Sequence, residues 1–118
     1  MSKTENEIIT ATGMYNGHSA KGNFDVELKL RFFENEALNA MKFVSAVGKR
    51  LQIVAKPENG GETIKLGIFN FYNLKFDKDA NAYLSVRANQ EYCFVNNMTK
   101  LMQESLFVFK ARVIEDYA

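Results

Sequence analysis

Between Phe24 and Phe32 apolar and polar residues alternate without a break. Phe24, Val26, Leu28, Leu30 and Phe32 hold one parity, and Asp25, Glu27, Lys29 and Arg31 the other. Successive side chains of a strand point to opposite faces, so this spacing predicts a strand buried on one side and wet on the other. A looser period of two recurs over Glu7–Tyr15, Leu51–Ala55, Thr63–Phe76, Ala82–Val86 and Leu106–Ile114. Turn chemistry separates these runs: an Asn-Gly pair and a further glycine in Asn16–Asn23, paired glycines in Lys56–Glu62, and two aspartates in Asp77–Asn81.

The period changes in two places. Ala37, Met41, Val44 and Gly48 fall on one helical stripe with Leu38 and Val47 beside it. Asn35 is the predicted N-cap of that helix and Gly48 its stop. A second short helix is expected from Asn97, turning Met98, Leu101 and Met102 inward. About six strands, one or two short helices and no βαβ alternation predict a mainly-β chain folded as a small antiparallel β-barrel. With 118 residues, one proline and no low-complexity stretch, residues 1–118 are expected to form a single domain.

Composition then removes function classes. No apolar run approaches the roughly 20 residues of a membrane helix. The polar opening Met1–Glu7 leads into no signal-peptide core, so an intracellular protein is expected, without membrane partners. One cysteine, Cys93, allows no internal disulfide, and one histidine, His18, allows no His-pair metal site. His18 is expected in a solvent-facing turn, Cys93 as a small buried residue rather than a nucleophile. Gly60-Gly61 lacks the Lys-Ser/Thr that follows a phosphate loop. Asp25, Glu27 and Lys29 include the Glu-x-Lys spacing of one nuclease class, but the upstream aspartate of such sites is missing. The expectation is no enzyme, no cofactor and no metal.

Charge and aromaticity point elsewhere. The formal net charge is only +1, yet residues 37–113 carry eleven basic residues against six acidic ones. Ten Phe and five Tyr exceed what a core of this size obviously needs, so some rings are expected at a surface. In Thr63–Phe76, strict alternation assigns Ile64, Leu66, Ile68, Tyr72, Leu74 and Phe76 to the core. It assigns Lys65, Gly67, Phe69, Phe71, Asn73 and Lys75 to the outer face. Tyr83 and Arg87 of the next strand would share that face. Flat rings flanked by cations are what single-stranded nucleic acid requires, since unstacked bases lie on rings and phosphates meet Lys and Arg. The predicted site is therefore Phe69, Phe71, Lys65, Lys75, Tyr83 and Arg87, extended by Arg50, Lys110 and Arg112.

The whole chain resembles the small single-stranded DNA-binding proteins of lactococcal tailed phages. The resemblance is carried by the Asn-Gly turn, the Phe24–Phe32 strand, the Gly60-Gly61 loop and the Phe69-Asn70-Phe71-Tyr72 run. It implies an OB-fold-like barrel, self-association as a dimer or tetramer, and a role in phage DNA replication or recombination. The site of action would be the cytoplasm of the infected bacterial host, with phage or host recombination proteins as further partners. Bacterial single-stranded DNA-binding proteins end in a long linker and an acidic tip, whereas Ile114–Ala118 is at most a vestige of one. The competing reading is a phage protein-interaction module, an inhibitor or assembly factor, whose exposed rings meet a protein. A nuclease built on Asp25 and Glu27 is the third.

Overall fold

A computed structural model describes residues 7–20 and 25–114. Its strands are β1 (Ile8–Ala20), β2 (Asp25–Phe32), β3 (Arg50–Pro57), β4 (Ile64–Phe76), β5 (Ala82–Asn89) and β6 (Phe107–Ile114). They close in the order β1-β2-β5-β4-β3-β6, every pairing antiparallel, so no sheet edge is left open. Two helical segments cover the ends. The first is α1 (Ala37–Met41) between 3-10 turns at Glu34–Glu36 and Lys42–Ala46. The second is α2 (Val95–Met98), preceded by a 3-10 turn at Gln90–Tyr92 and continued by another at Thr99–Gln103. No helix is long and apolar enough to cross a membrane among the described residues. Lys21–Phe24, part of the predicted first turn and strand, and the acidic end Glu115–Ala118 lie outside the described residues.

The barrel interior is apolar throughout. Val26, Leu28, Leu30 and Phe32 of β2 face it as their alternation predicts, together with Leu84 and Val86 of β5. Phe32 is the central ring. It stacks on Phe43 at 5.8 Å between centroids and meets the edge of Phe109 at 6.1 Å, joining β2, the first helical segment and β6. Phe107 and Phe109 of the last strand are fully buried, so that strand supplies core rather than an exposed apolar edge.

β4 departs from strict alternation, and this takes both phenylalanines of the predicted site, Phe69 and Phe71, off the outer face. Its register against β3 slips after Gly67, leaving Leu66 as an extra residue, and its register against β5 slips again around Tyr72. A bulge inserts one residue into a strand and reverses which parity faces the core. Ile64 and Leu66 point inward before the first bulge, Phe69 and Phe71 after it, and Leu74 after the second. Phe69 is 0% exposed and Phe71 is half-buried against the core, while Tyr72, assigned to the core by alternation, is 52% exposed. Ile68 likewise turns to the outer side.

Gly67 makes the first bulge possible. Its φ is +129°, which a residue with a side chain rarely adopts. A Cβ there would lie 2.5 Å from Cys93 Cα and 2.6 Å from the Tyr92 carbonyl oxygen. The segment after β5 presses on β4 at this point, fixed by Phe94 N–H donating to the Leu66 carbonyl at 3.0 Å and by the Asn97 amide donating to the Lys65 carbonyl at 2.8 Å.

The helical stripes also differ from the predicted ones. A turn of 3-10 character eclipses side chains three apart. Ala40, Phe43 and Ala46 are therefore buried, whereas Met41 and Val44 of the predicted inner stripe face out. Asn35 is not a cap. Glu36 instead accepts from the Thr12 backbone N–H at 3.0 Å and from the Asn39 amide at 3.1 Å, which ties the segment to β1. The second segment begins at Val95 and leaves Met102 exposed. Residues 16–20 of the predicted Asn16–Asn23 turn belong instead to β1, because Gly17, at φ +111°, supports an irregularity within that strand rather than a reversal. His18 is consequently a half-buried strand residue hydrogen-bonded through Nδ1 to the Tyr15 hydroxyl.

The Asp77–Asn81 turn is as predicted. One Asp77 carboxyl oxygen accepts from the backbone N–H groups of Asp79 (2.9 Å) and Asn81 (3.0 Å), the other from the Tyr83 hydroxyl (3.0 Å) and the Asn81 amide. Partial desolvation pushes this carboxyl up, but the hydrogen bonds from Asn81, Asp79 and Tyr83 outweigh it and hold it below its ordinary value. A depressed carboxyl contributes stability above its unfolded value that is lost as pH falls through the folded one.

Two outcomes follow for equilibrium unfolding in urea. Phe69→Ala is expected to cost about 3–5 kcal/mol, the range for emptying a core ring, and Tyr72→Ala under about 1 kcal/mol. The reverse ranking would mean that alternation runs unbroken through β4. Asp77→Asn is expected to lower stability modestly at neutral pH and to flatten its decline below about pH 4, the unfolded carboxyl range, so that the two proteins converge in acid. An unchanged acid limb would show that the turn hydrogen bonds do not couple to folding.

Candidate functional site

The predicted site residues divide between two outer faces that meet along β4. On the β2–β5–β4 side, register brings Arg31, Tyr83 and Lys75 into one row, Lys29, Ser85 and Asn73 into the next, and Glu27, Arg87 and Asn70 into a third. On the β4–β3–β6–β1 side the rows are Lys65, Val54, Lys110 and Thr10; Ile68, Gln52, Arg112 and Ile8; and Asn70, Arg50 and Ile114. Lys56 stands beside Val108 in a fourth row, beyond that of Lys65, Val54 and Lys110. Asn70 belongs to both faces. Lys75, Tyr83 and Arg87 thus share one surface, while Lys65, Arg50, Lys110 and Arg112 share the other. Phe69 and Phe71 lie on neither.

The first face is largely satisfied by its own members. The Arg87 guanidinium sits 3.4 Å from the centre of the Tyr72 ring and 3.6 Å from the Glu27 carboxylate. Arg31 lies over Phe33 at 5.1 Å and Tyr83 at 5.7 Å. The Tyr83 hydroxyl is held by Asp77, which pushes its ionisation up, with desolvation adding to the effect. Asp25 and Glu27 further lower the potential at one end. Glu27, half of the nuclease candidate, is engaged with Arg87, and no group of three or more His, Cys, Asp or Glu side chains suited to a metal ion occurs among the described residues.

The second face is different in sign and in occupancy. Its outward strand positions hold Arg50, Lys56, Lys65, Lys110 and Arg112 with no carboxylate among them. Among the described residues none of Lys56, Lys65, Lys110 and Arg112 is engaged in an ion pair. Half-buried Val54, Ile68, Val108 and Ile114 lie between them, apolar ground along which the lysine and arginine stems can rest.

A groove of about 360 Å³ opens at the β4 margin of this face. Its floor includes Gln52, Lys65 and Ile68, and its wall is the Glu91–Phe94 segment pressed onto Gly67. Tyr92 is 49% and Phe94 52% exposed, and neither ring is covered by another ring or by a guanidinium among the described residues. Cys93 between them is half-buried, with its thiol pushed up by desolvation, so it is no activated nucleophile. Sequence reading missed Tyr92 and Phe94. The only signal for them was an aromatic pair in a segment of mixed period. Their placement depends on the contact with Gly67, which no local pattern announces.

Uncovered rings beside unpaired cations can stack planar groups and neutralise a polyanion at once. Compared with known proteins, the chain matches no family model and no curated protein sequence.

Proposed function

We propose that the chain is a non-enzymatic, sequence-tolerant single-stranded DNA-binding protein working through the β4–β3–β6–β1 face. The observation that carries this reading is the set of cations on that face, without an intervening carboxylate, running up to the groove that displays Tyr92 and Phe94. Phosphates would follow Lys65, Lys110 and Arg112, with Arg50 and Lys56 at the margins, and bases would stack on the two rings. A flat sheet face with side chains of this kind favours a flexible single strand. Reading a duplex calls for a helix or ribbon that enters a groove, and the helical segments here are short and not basic. The choice of DNA, and of phage replication or recombination in an infected bacterium, rests on the sequence resemblance. The barrel is read as OB-like in the same sense, with one strand more than the usual five.

The β2–β5–β4 face is a secondary surface under this reading. Using Tyr72 for stacking would first require displacing Arg87 from its ring, and Arg87 would leave Glu27 unpaired.

Fluorescence anisotropy with a labelled oligonucleotide, titrated over a salt series, tests the proposal. Binding is expected to weaken steeply with salt, and Lys110→Ala or Arg112→Ala should each reduce the logarithmic slope by about 0.7, the share of one single-strand phosphate contact. Phe94→Ala or Tyr92→Ala should weaken binding by about 1–3 kcal/mol if each ring stacks one base. Arg87→Ala should leave affinity within about twofold, since a covered ring and a paired cation contribute little. Salt-independent binding, or tighter binding to duplex of the same length, would overturn the reading.

A further inference from the structure

A second groove, of about 410 Å³, adjoins the first at Phe94. Phe94 and Lys65 line both, so the two grooves meet over one exposed ring. Pro57, Ile64 and the buried Phe107 give the second groove an apolar lining, and hydrogen bonds fix both its walls. On one side the Asn97 amide donates to the Lys65 carbonyl at 2.8 Å. On the other the Glu58 N–H donates to the Leu106 carbonyl at 3.1 Å, and the Asn59 amide to a Glu104 carboxylate oxygen at 3.5 Å. A groove of this size, apolar within and polar at a few fixed points, suits a small planar group.

Its charges are mixed and unspent. Lys65 and Lys100 line it together with Glu62 and Glu104, yet none of the four is in an ion pair among the described residues. Glu104 is engaged by Asn59, whereas Glu62 has no hydrogen-bond partner among the described residues, so both its carboxylate oxygens are open. A phosphate following the lysines is repelled by these carboxylates, while a base brings hydrogen-bond donors to them.

We infer that this groove holds one base of the bound strand and that the Glu62 carboxylate selects guanine there, an inference that rests on the single-strand reading of the basic face. Guanine presents N1–H and an N2 amino N–H side by side on its pairing edge, matching the two oxygens of one carboxylate. Adenine and cytosine set an amino group beside a ring nitrogen that is itself an acceptor. Thymine sets its one N–H between two carbonyl oxygens. Each of the three therefore turns lone pairs toward the carboxylate. Lys65 and Lys100 meet the phosphates on either side of the selected base. The rest of the strand stays sequence-tolerant, because it meets rings and cations rather than hydrogen-bonding groups aimed at base edges.

Fluorescence anisotropy with labelled strands tests this. An oligothymidylate of about eight nucleotides, within the span of one such barrel, is compared with strands carrying one deoxyguanosine, deoxyinosine or deoxyadenosine at either end. At one of the two ends deoxyguanosine should tighten binding about tenfold, the order of one bidentate base contact. Deoxyinosine, which lacks the N2 amino group, and deoxyadenosine should stay within about threefold of thymidine, whereas purine stacking alone would raise all three together. Glu62→Gln puts a donor where an oxygen stood and should bring the guanosine-to-thymidine ratio within about twofold. Glu62→Ala serves as the second variant should Glu62→Gln move the thermal transition. Lys100→Ala should weaken every strand alike and lower the logarithmic salt slope by about 0.7 while leaving the ratio in place. No gain from deoxyguanosine at either end, an equal gain from all three purines, or a ratio indifferent to Glu62 would overturn the inference. Each of these leaves the single-strand reading standing so long as the oligothymidylate binds with a steep salt dependence. If no strand binds, both fail.

Discussion

The close approach of two backbones at Gly67 is the constraint on which the rest of this molecule turns. Only a residue without a Cβ can sit 2.5–2.6 Å in projected contact with Cys93 and Tyr92, and only a residue tolerant of φ +129° can make the bulge there. The bulge reverses the strand's parity, which places Phe69 in the core. The same contact holds Tyr92 and Phe94 beside the outer surface of β3 and β4. One glycine thereby couples core content and the shape of the groove.

Electrostatics then distinguishes two faces that look alike in composition. Both carry cations and both lie near aromatic rings. On the β2–β5–β4 side the cations are already spent on Glu27, Tyr72, Phe33 and Tyr83, and a ligand would have to replace those contacts before gaining any of its own. Exposed pairs of this kind contribute little stability individually, on the order of 0–1 kcal/mol. They still lower the potential a polyanion would meet. On the β4–β3–β6–β1 side Lys56, Lys65, Lys110 and Arg112 have no such prior contact among the described residues, so under the proposed function each neutralised phosphate would be a net gain through released counterions.

Much of the barrel was legible in the sequence because most of its strands obey one rule from end to end. β2 alternates without exception, and its inward residues and its wet face were readable directly, as was the pairing of β4 with β5 across the Asp77 turn. The Asp77 turn was readable because its hydrogen bonds are local. Lys65, Arg50, Lys110 and Arg112 share one outer face, but period two alone grouped Lys65 with Lys75, Tyr83 and Arg87, from which the bulges in β4 separate it. Phe69 and Phe71 were misassigned because a bulge is set by a contact with residues more than twenty positions away, and alternation counted across it gives the wrong face. The first helical segment was misread for a related reason. Met41 and Val44 lie inward on an α-helical period, but the 3-10 turns around α1 shift the buried row to Ala40, Phe43 and Ala46.

Most of the described aromatic residues now have a physical account, Phe76 at the end of β4 (43% exposed, under no guanidinium) being the exception. Phe32, Phe43, Phe69, Phe107 and Phe109 fill the barrel, and Phe71 and Tyr15 pack at its margins. Of the rings that remain outside, Phe33, Tyr72 and Tyr83 have a face beneath a guanidinium. A ring so covered has lost part of its stacking surface, and uncovering it costs the cation–π contact, on the order of 0.5–1 kcal/mol at an exposed site. Tyr92 and Phe94 carry no such cost. Stacking is worth about 1–3 kcal/mol per base, so the difference between a covered and a bare ring is comparable with the gain itself. Under the proposed function an incoming base would therefore favour the pair beside Lys65 over the more numerous rings of the other face, even though those rings stand in the more regular part of the sheet.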